Sequence, residues 1–129
     1  MLVAGDLLSD VLIPMLDLHS GLNPVQDHLD ALRRLEDIAS DAVIVIPGHG
    51  SVGSGDEIRR RIDQDRAYML APREGHDPVD ARVSPVATFG RDWLPGVHAR
   101  QVRKILNKGA GAQVLQKHSR ADTESKSSV

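Results

Sequence analysis

The chain has 129 residues, of which 40% are hydrophobic and 2% aromatic, so it can form one domain or part of one, with an aliphatic core. Its 16 basic and 18 acidic residues give a formal net charge of -2, which excludes a broad basic field for binding nucleic acid. The absence of cysteine excludes disulfides and thiolate metal sites, and it fits a reducing cytoplasm, the location that we predict.

The first predicted element is a short buried strand at residues 2–5, which places Asp6 at its carboxyl end. No basic residue precedes this apolar run, and Asp6 and Asp10 interrupt it, so we predict neither a signal peptide nor a membrane partner. Between residues 7 and 21, Pro14 would break a long helix. We expect a loop with a helical turn there.

A helix is predicted from about Pro24 to Ser40. Asn23 can cap it, Pro24 suits the first helical position, and Gln26 stands three residues beyond the cap. One face of this helix is mostly apolar at helical spacing, and its members are Val25, Leu29, Leu32, either Glu36 or Leu35, and Ala39.

A second buried strand is predicted at residues 42–46, where a continuous β-branched run is typical of a strand covered on both faces. It ends in the sequence Pro-Gly-His-Gly at residues 47–50. Glycine on both sides of His49 lets the backbone approach a metal or a substrate closely.

Two further helices are predicted after this turn. The first opens at a capping box formed by Ser54 and Glu57 and ends at Pro72. Residues 73–92 are expected to be an irregular connection, and the last helix is predicted from about Leu94 to Asn107. The residues expected to face inward are Ile58, Ile62, Met69, Val97, Val102, Ile105 and Leu106.

This order of elements predicts an α/β fold with few strands flanked by helices. Two strands do not form a stable sheet on their own, so partner strands must come from elsewhere, and an exposed sheet edge would allow self-association. We expect the domain to cover residues 1–106 and residues 107–129 to be a disordered polar tail.

Asp6 and His49 are the candidate metal ligands. Each follows a predicted buried strand, and neighbouring strands of one sheet would bring both side chains to the same edge, where α/β proteins place their sites. A neutral imidazole and a carboxylate are both good zinc ligands. Taken singly, each residue has an ordinary interpretation, Asp6 as a turn or cap carboxylate and His49 as an incidental histidine of a tight turn.

The segments VAGDLLSDVLIPMLD and AVIVIPGHGSV, with a capped helix between them, resemble the second half of metallo-β-lactamase-fold hydrolases over about residues 1 to 72. The resemblance implies a partial αββα fold whose N-terminal half is missing. It also implies that Asp6 bridges two zinc ions and that His49 is the last histidine ligand. In complete members, a metal-bound hydroxide would attack an ester, thioester, lactam or phosphoester bond of a small-molecule substrate.

The chain lacks the His-x-His-x-Asp-His motif that family members carry ahead of the aspartate, and it enters a strand directly after Met1. A catalytic zinc site normally needs three protein ligands, and this chain offers two. We therefore predict a fragment, truncated or with a misassigned start, that has no catalytic residue of its own and is inactive alone. Two alternatives stay open: a non-catalytic remnant or interaction module that self-associates or binds another chain, and an unrelated small α/β protein.

Several other polar and aromatic residues have both a functional and an ordinary interpretation. Asp10 could be a partner of the metal ligands, although a solvated or capping role is favoured. His19 could line the mouth of a substrate site, although an ordinary loop residue is favoured. His28 is expected to be a surface or partly buried residue, His98 a structural residue and Trp93 a core residue.

The arginines at positions 59, 60 and 61 open the second helix near the predicted site and could meet an anionic substrate. The more ordinary interpretation is a solvated helix face, on which these arginines pair with Asp63 and Asp65.

Overall fold

The computed structural model describes residues 1–19, 23–39 and 44–108. The described elements, in chain order, are β1 (Leu2–Gly5), α1 (Pro24–Ala39), β2 (Ile44–Pro47), β3 (Gly53–Ser54), α2 (Gly55–Arg73), a short 3-10 helix (Ala81–Val83) and α3 (94–108). The coarse α/β prediction is confirmed. Within these ranges, no helix has the length and apolarity needed to cross a membrane.

The three strands form one mixed sheet in the order β1-β2-β3. β1 and β2 are parallel, with Leu2 opposite Val45 and Val3 opposite Ile46, whereas β2 and β3 are antiparallel. The carboxyl ends of β1 and β2 therefore lie at the same edge of the sheet. β3 was not predicted, because two residues are too few to show a strand pattern.

One face of the sheet packs against α1 and α2. Val45 is fully buried there, in a cluster with Leu8, Leu32, Ile58 and Ile62. These side chains come from a strand, a loop and two helices, so their burial fixes both helices on the same side of the sheet. The apolar stripes predicted for α1 and α2 are thus the faces that form the core.

A second apolar cluster joins the loop after β1 to the three helices. Its buried members are Leu12, Ile13, Val25, Tyr68, Met69, Leu94 and Ile105. On α3, Val102 and Ile105 are buried as predicted, whereas Val97 and Leu106 are only partly buried. α3 extends to residue 108, two residues past the predicted domain boundary, and the rest of the predicted tail lies outside the described residues.

The opposite face of the sheet is uncovered by the described residues. Met1 and Val3 of the first strand region are 82% and 67% exposed, and Ile44 of β2 is 43% exposed. β1 also has a single strand neighbour in this part of the chain. Parallel strands are usually buried on both faces, so this half-covered sheet is unusual for its type.

The predicted capping of α1 is confirmed, whereas the predicted capping of α2 is not. The amide of Gln26 donates to Asn23 Oδ1 at 3.2 Å, so the predicted cap of α1 is present. Ser54 occupies the N-cap position of α2, but its side chain makes no capping hydrogen bond, so the predicted capping box is wrong. Pro72 lies inside α2, which ends one residue later at Arg73.

The segment between β1 and α1 also differs from the prediction. Over residues 7–19 the backbone forms turns and bends with no helical turn, and residues 20–22 are outside the described ranges. The predicted strand at 42–46 is likewise described only from Ile44, and it continues through Pro47.

Candidate metal centre

Asp6 and His49 come together at the shared carboxyl edge of β1 and β2. Asp6 Oδ1 lies 3.4 Å from His49 Nδ1, and the two side chains are 71% and 54% exposed. A Cβ at Gly48 would lie 3.0 Å from the carbonyl oxygen of Gly5, so glycine there lets the two turns approach closely. The sequence prediction that both residues emerge at one edge is confirmed, whereas their role as ligands stays a prediction.

Two loops carry these residues: the first ligand loop, residues 6–12, and the second ligand loop, residues 48–52. Ser9 Oγ donates to the carbonyl oxygen of His49 at 2.7 Å and accepts from the amide of Leu12 at 2.9 Å. Asp10 Oδ1 accepts from the amide of Ser51 at 2.8 Å. Polar contacts therefore join the two loops at His49 and at Ser51.

The pKa of Asp10 lies below its ordinary value. Burial acts against the charged carboxylate, but the hydrogen bonds from Ser51 and the nearby guanidinium of Arg61 outweigh it. Asp10 is therefore a carboxylate, and a hydrogen-bond acceptor, at neutral pH.

Arg61 reaches both loops from beneath. Its side chain is 3% exposed, and its Nη1 donates to the carbonyl oxygens of Ser51 at 2.7 Å and Leu8 at 3.3 Å. Its Nη2 lies 3.9 Å from Asp10 Oδ2. Its Nε lies 3.4 Å from Glu57 Oε2 but is not aligned for a hydrogen bond, so that contact is purely electrostatic.

The prediction of a solvated arginine face paired with Asp63 and Asp65 is therefore wrong for Arg60 in its pairing partner, and wrong for Arg61 in its exposure as well. Arg60 is exposed but binds Glu57 through two hydrogen bonds, and Arg61 is buried beneath the loops. Charge spacing on a helix cannot reveal this, because it does not show which loops pack over the helix.

Asp65 belongs instead to a buried polar network that sequence reasoning missed. Arg82 Nη1 donates to Asp65 Oδ1 at 2.6 Å and to the carbonyl oxygens of Ser9 and Leu12 at 3.0 and 3.2 Å. Asp80 accepts from the other side of the same guanidinium. The network holds the first ligand loop from the interior. Apart from the neighbouring Asp80 and Arg82, its members are far apart in the sequence, so no local pattern predicts it.

An aromatic row flanks the candidate site. The ring of Phe89 lies 6.2 Å from that of His49, and the ring of Trp93 lies 6.1 Å from Phe89 in a T-shaped contact. Trp93 is 47% exposed, so the prediction that it is a core residue is wrong. Beside this row is an open groove of about 320 Å³, lined in part by Asp10, Arg60, Gln64, Thr88 and Phe89.

The other histidines of the described ranges lie elsewhere. His19 Nε2 lies 3.4 Å from Lys104 Nζ, against α3, and His98 Nδ1 lies 2.9 Å from the hydroxyl of Tyr68. His28 is partly buried on α1, as predicted. Across residues 1–19, 23–39 and 44–108 there is no group of three or more His, Cys, Asp or Glu residues placed to hold a metal ion. Among the described residues, the Asp6–His49 pair is therefore the whole of the predicted ligand set.

No protein-family model matches the chain, and no curated protein or solved structure matches it either. Function is therefore inferred from the side-chain geometry described above, together with the sequence resemblance.

Proposed function

We propose that this chain contributes two metal ligands, Asp6 and His49, to the centre of a hydrolase of metallo-β-lactamase type. The observation that supports this most is the 3.4 Å separation of Asp6 Oδ1 and His49 Nδ1 where two parallel strands end. The reaction class is hydrolysis of an ester, thioester, lactam or phosphoester bond in a small molecule.

The donor set suits zinc. With zinc–ligand distances of about 2.0–2.2 Å, two ligands of a tetrahedral ion lie about 3.3–3.5 Å apart, which matches the separation of the Asp6 and His49 atoms. Both side chains are more than half exposed, so an ion can reach them. A bound zinc ion would supply a water of lowered pKa as the nucleophile.

Two ligands do not complete a catalytic site, which normally takes three from protein. The proposal is therefore that further ligands come from outside the described residues, and that Asp6 and His49 supply one side of the centre. The chain's own contribution is to hold a carboxylate and an imidazole at the distance that separates two ligands of one zinc ion.

Titration of Zn²⁺ into the purified chain by isothermal calorimetry tests the proposal. We expect Asp6→Asn and His49→Gln each to weaken binding at least tenfold, about 1.4 kcal/mol. His76→Gln is a matched control, because His76 Nε2 also lies 3.4 Å from a carboxylate, that of Glu74, with both side chains 63% exposed. Zinc binding that is unchanged in both site variants, or equally weakened in the control, would show that the pair is not a metal site.

A second candidate function, a non-catalytic interaction module, is favoured by the face of the sheet and the edge of β1 that residues 1–19, 23–39 and 44–108 leave uncovered. A lysine at position 3 would place a charge on that face, because Val3 is 67% exposed there. If this face mediates self-association, the chain sediments as a dimer and Val3→Lys shifts it to a monomer. Val79→Lys, at a fully exposed position in the loop after α2, is the control. A wild-type monomer across the concentration range would exclude self-association.

A further inference from the structure

The backbone around His49 is fixed at three successive points, the first by the end of β1 and the other two by the first ligand loop. Before it, the amide of Gly48 donates to the carbonyl oxygen of Gly5. At His49 itself, the carbonyl oxygen accepts from Ser9 Oγ at 2.7 Å. After it, the amide of Ser51 donates to Asp10 Oδ1 at 2.8 Å. The third contact comes from a side chain that lies four residues beyond Asp6.

We propose that Asp10 is a positioning residue for the Asp6–His49 pair, an inference that depends on the metal site proposed above. One carboxylate ties the loop that carries Asp6 to the loop that carries His49. Without it, the second ligand loop keeps its contacts at Gly48 and His49 and the contact of Ser51 with Arg61, but Ser51 loses its link to the loop that carries Asp6. Removal of a group that holds a metal ligand in place typically lowers the metal affinity about 10- to 100-fold.

The space at Gly50 supports this assignment. Gly50 has a φ of +104°, and a Cβ at this position would collide with Asp10 Oδ1 and lie 3.2 Å from Ser9 Oγ. The second ligand loop thus passes as close to Asp10 as a glycine backbone allows. The Pro-Gly-His-Gly turn and the aspartate are therefore fitted to one another, although they are 40 positions apart.

Arg61 supports the same contact from below. It donates to the carbonyl oxygen of Ser51 while Asp10 accepts from the amide of that residue, so Ser51 is held through both of its backbone polar groups. The guanidinium also lies 3.9 Å from Asp10 Oδ2, which favours the ionised carboxylate.

A purely structural aspartate and a positioning aspartate differ in what they affect. The side chain of Asp10 is 26% exposed and is not among the core residues, so its removal leaves the core clusters intact. Asp10→Asn keeps an oxygen that can accept from Ser51 but loses the charge, whereas Asp10→Ala loses both. If positioning depends on the hydrogen bond, the asparagine rescues what the alanine loses.

NMR on the metal-free full chain gives the first readout. We expect Asp10→Ala to abolish the nuclear Overhauser contact between the His49 ring and the β-protons of Asp6, and to accelerate amide exchange at Ser51 at least tenfold. Asp10→Asn retains both, as does Asp63→Ala, a control at an exposed aspartate on α2. Persistence of the contact and of the protection in Asp10→Ala would overturn the proposal.

Zn²⁺ calorimetry on the same variants gives the second readout. Asp10→Ala is expected to weaken zinc binding by about 10- to 100-fold, and Asp10→Asn by less than about threefold. Equal zinc affinity in wild type and Asp10→Ala would also overturn the role of Asp10. A wild-type chain that binds no zinc would refute the metal site instead, and the metal-free NMR readout would then still decide whether Asp10 positions the pair.

Discussion

Two of the acid–base pairs in the molecule lie in contrasting surroundings. Asp65 and Arg82 are each 2% exposed and 2.6 Å apart, and their remaining polar atoms bind Asp80 and loop backbone. Asp6 and His49 are more than half exposed and 3.4 Å apart, and water can reach both. Asp65 and Arg82, the interior pair, use their hydrogen-bonding groups to hold a loop in place. Asp6 and His49, the rim pair, have hydrogen-bonding groups that a ligand can still reach.

Removing one partner of the interior pair should have the largest effect on stability. Asp65→Ala leaves Asp80 as the remaining acidic partner of the buried Arg82 guanidinium and removes the acceptor of the Leu8 amide, and breaking a buried pair in this way typically costs about 3–5 kcal/mol in the free energy of unfolding. Urea denaturation measures this, with the exposed Asp63→Ala expected to change the same quantity by less than about 0.5 kcal/mol. A similar small change in both variants would mean that the interior pair does not fasten the loop.

Gly50→Ala tests the close contact between the second ligand loop and Asp10. We expect a loss of about 1–3 kcal/mol in unfolding free energy, because an alanine at positive φ is strained and its Cβ collides with Asp10. In an Asp10→Ala background the collision is removed and the strain remains, so the cost of Gly50→Ala should fall. Strictly additive costs in this double-mutant cycle would contradict the close contact.

The interior also predicts a dependence of stability on pH. Burial lowers the pKa of His28 below its ordinary value of 6.5, although the charge of Asp65 partly opposes this, and burial likewise lowers the pKa of His98. The unfolded chain then binds more protons, so stability is full above pH 6.5 and falls as the pH drops below it. Urea denaturation at successive pH values should show this slope, and His28→Gln should flatten it. A slope unaltered by that substitution would exclude His28 as a source.

Variants of the rim pair should have the smallest effect on stability. Asp6→Asn and His49→Gln are expected to change the unfolding free energy by less than about 0.5 kcal/mol, since contacts between exposed polar side chains contribute little. Thermal or urea denaturation checks this beside the zinc titrations. Destabilisation as large as that of Asp65→Ala would make the rim pair a structural contact rather than a ligand pair.

The elements that the sequence predicted well are those with local signals. The start of α1 follows from Asn23 and Pro24, and its buried face from apolar spacing. The meeting of Asp6 and His49 follows from two strands that each end in a turn next to glycine, because parallel neighbours bring their carboxyl ends to one edge. For this pair, local pattern and topology were sufficient.

The parts that could not be predicted depend on packing between distant segments. Arg61 and Arg82 are of a residue type that usually lies at the surface, and they are buried because loops fold over them. Trp93 is of a residue type that usually lies in the core, yet it is partly exposed beside Phe89. The two-residue β3 exists because the chain returns past β2, which no local periodicity encodes.

The aromatic row has an optical consequence. The chain contains one tryptophan, so all indole emission comes from a single position, separated from the imidazole of His49 by the ring of Phe89. The protein therefore carries its own fluorophore within two ring contacts of the candidate ligand, and events at that imidazole can be followed without attaching a dye.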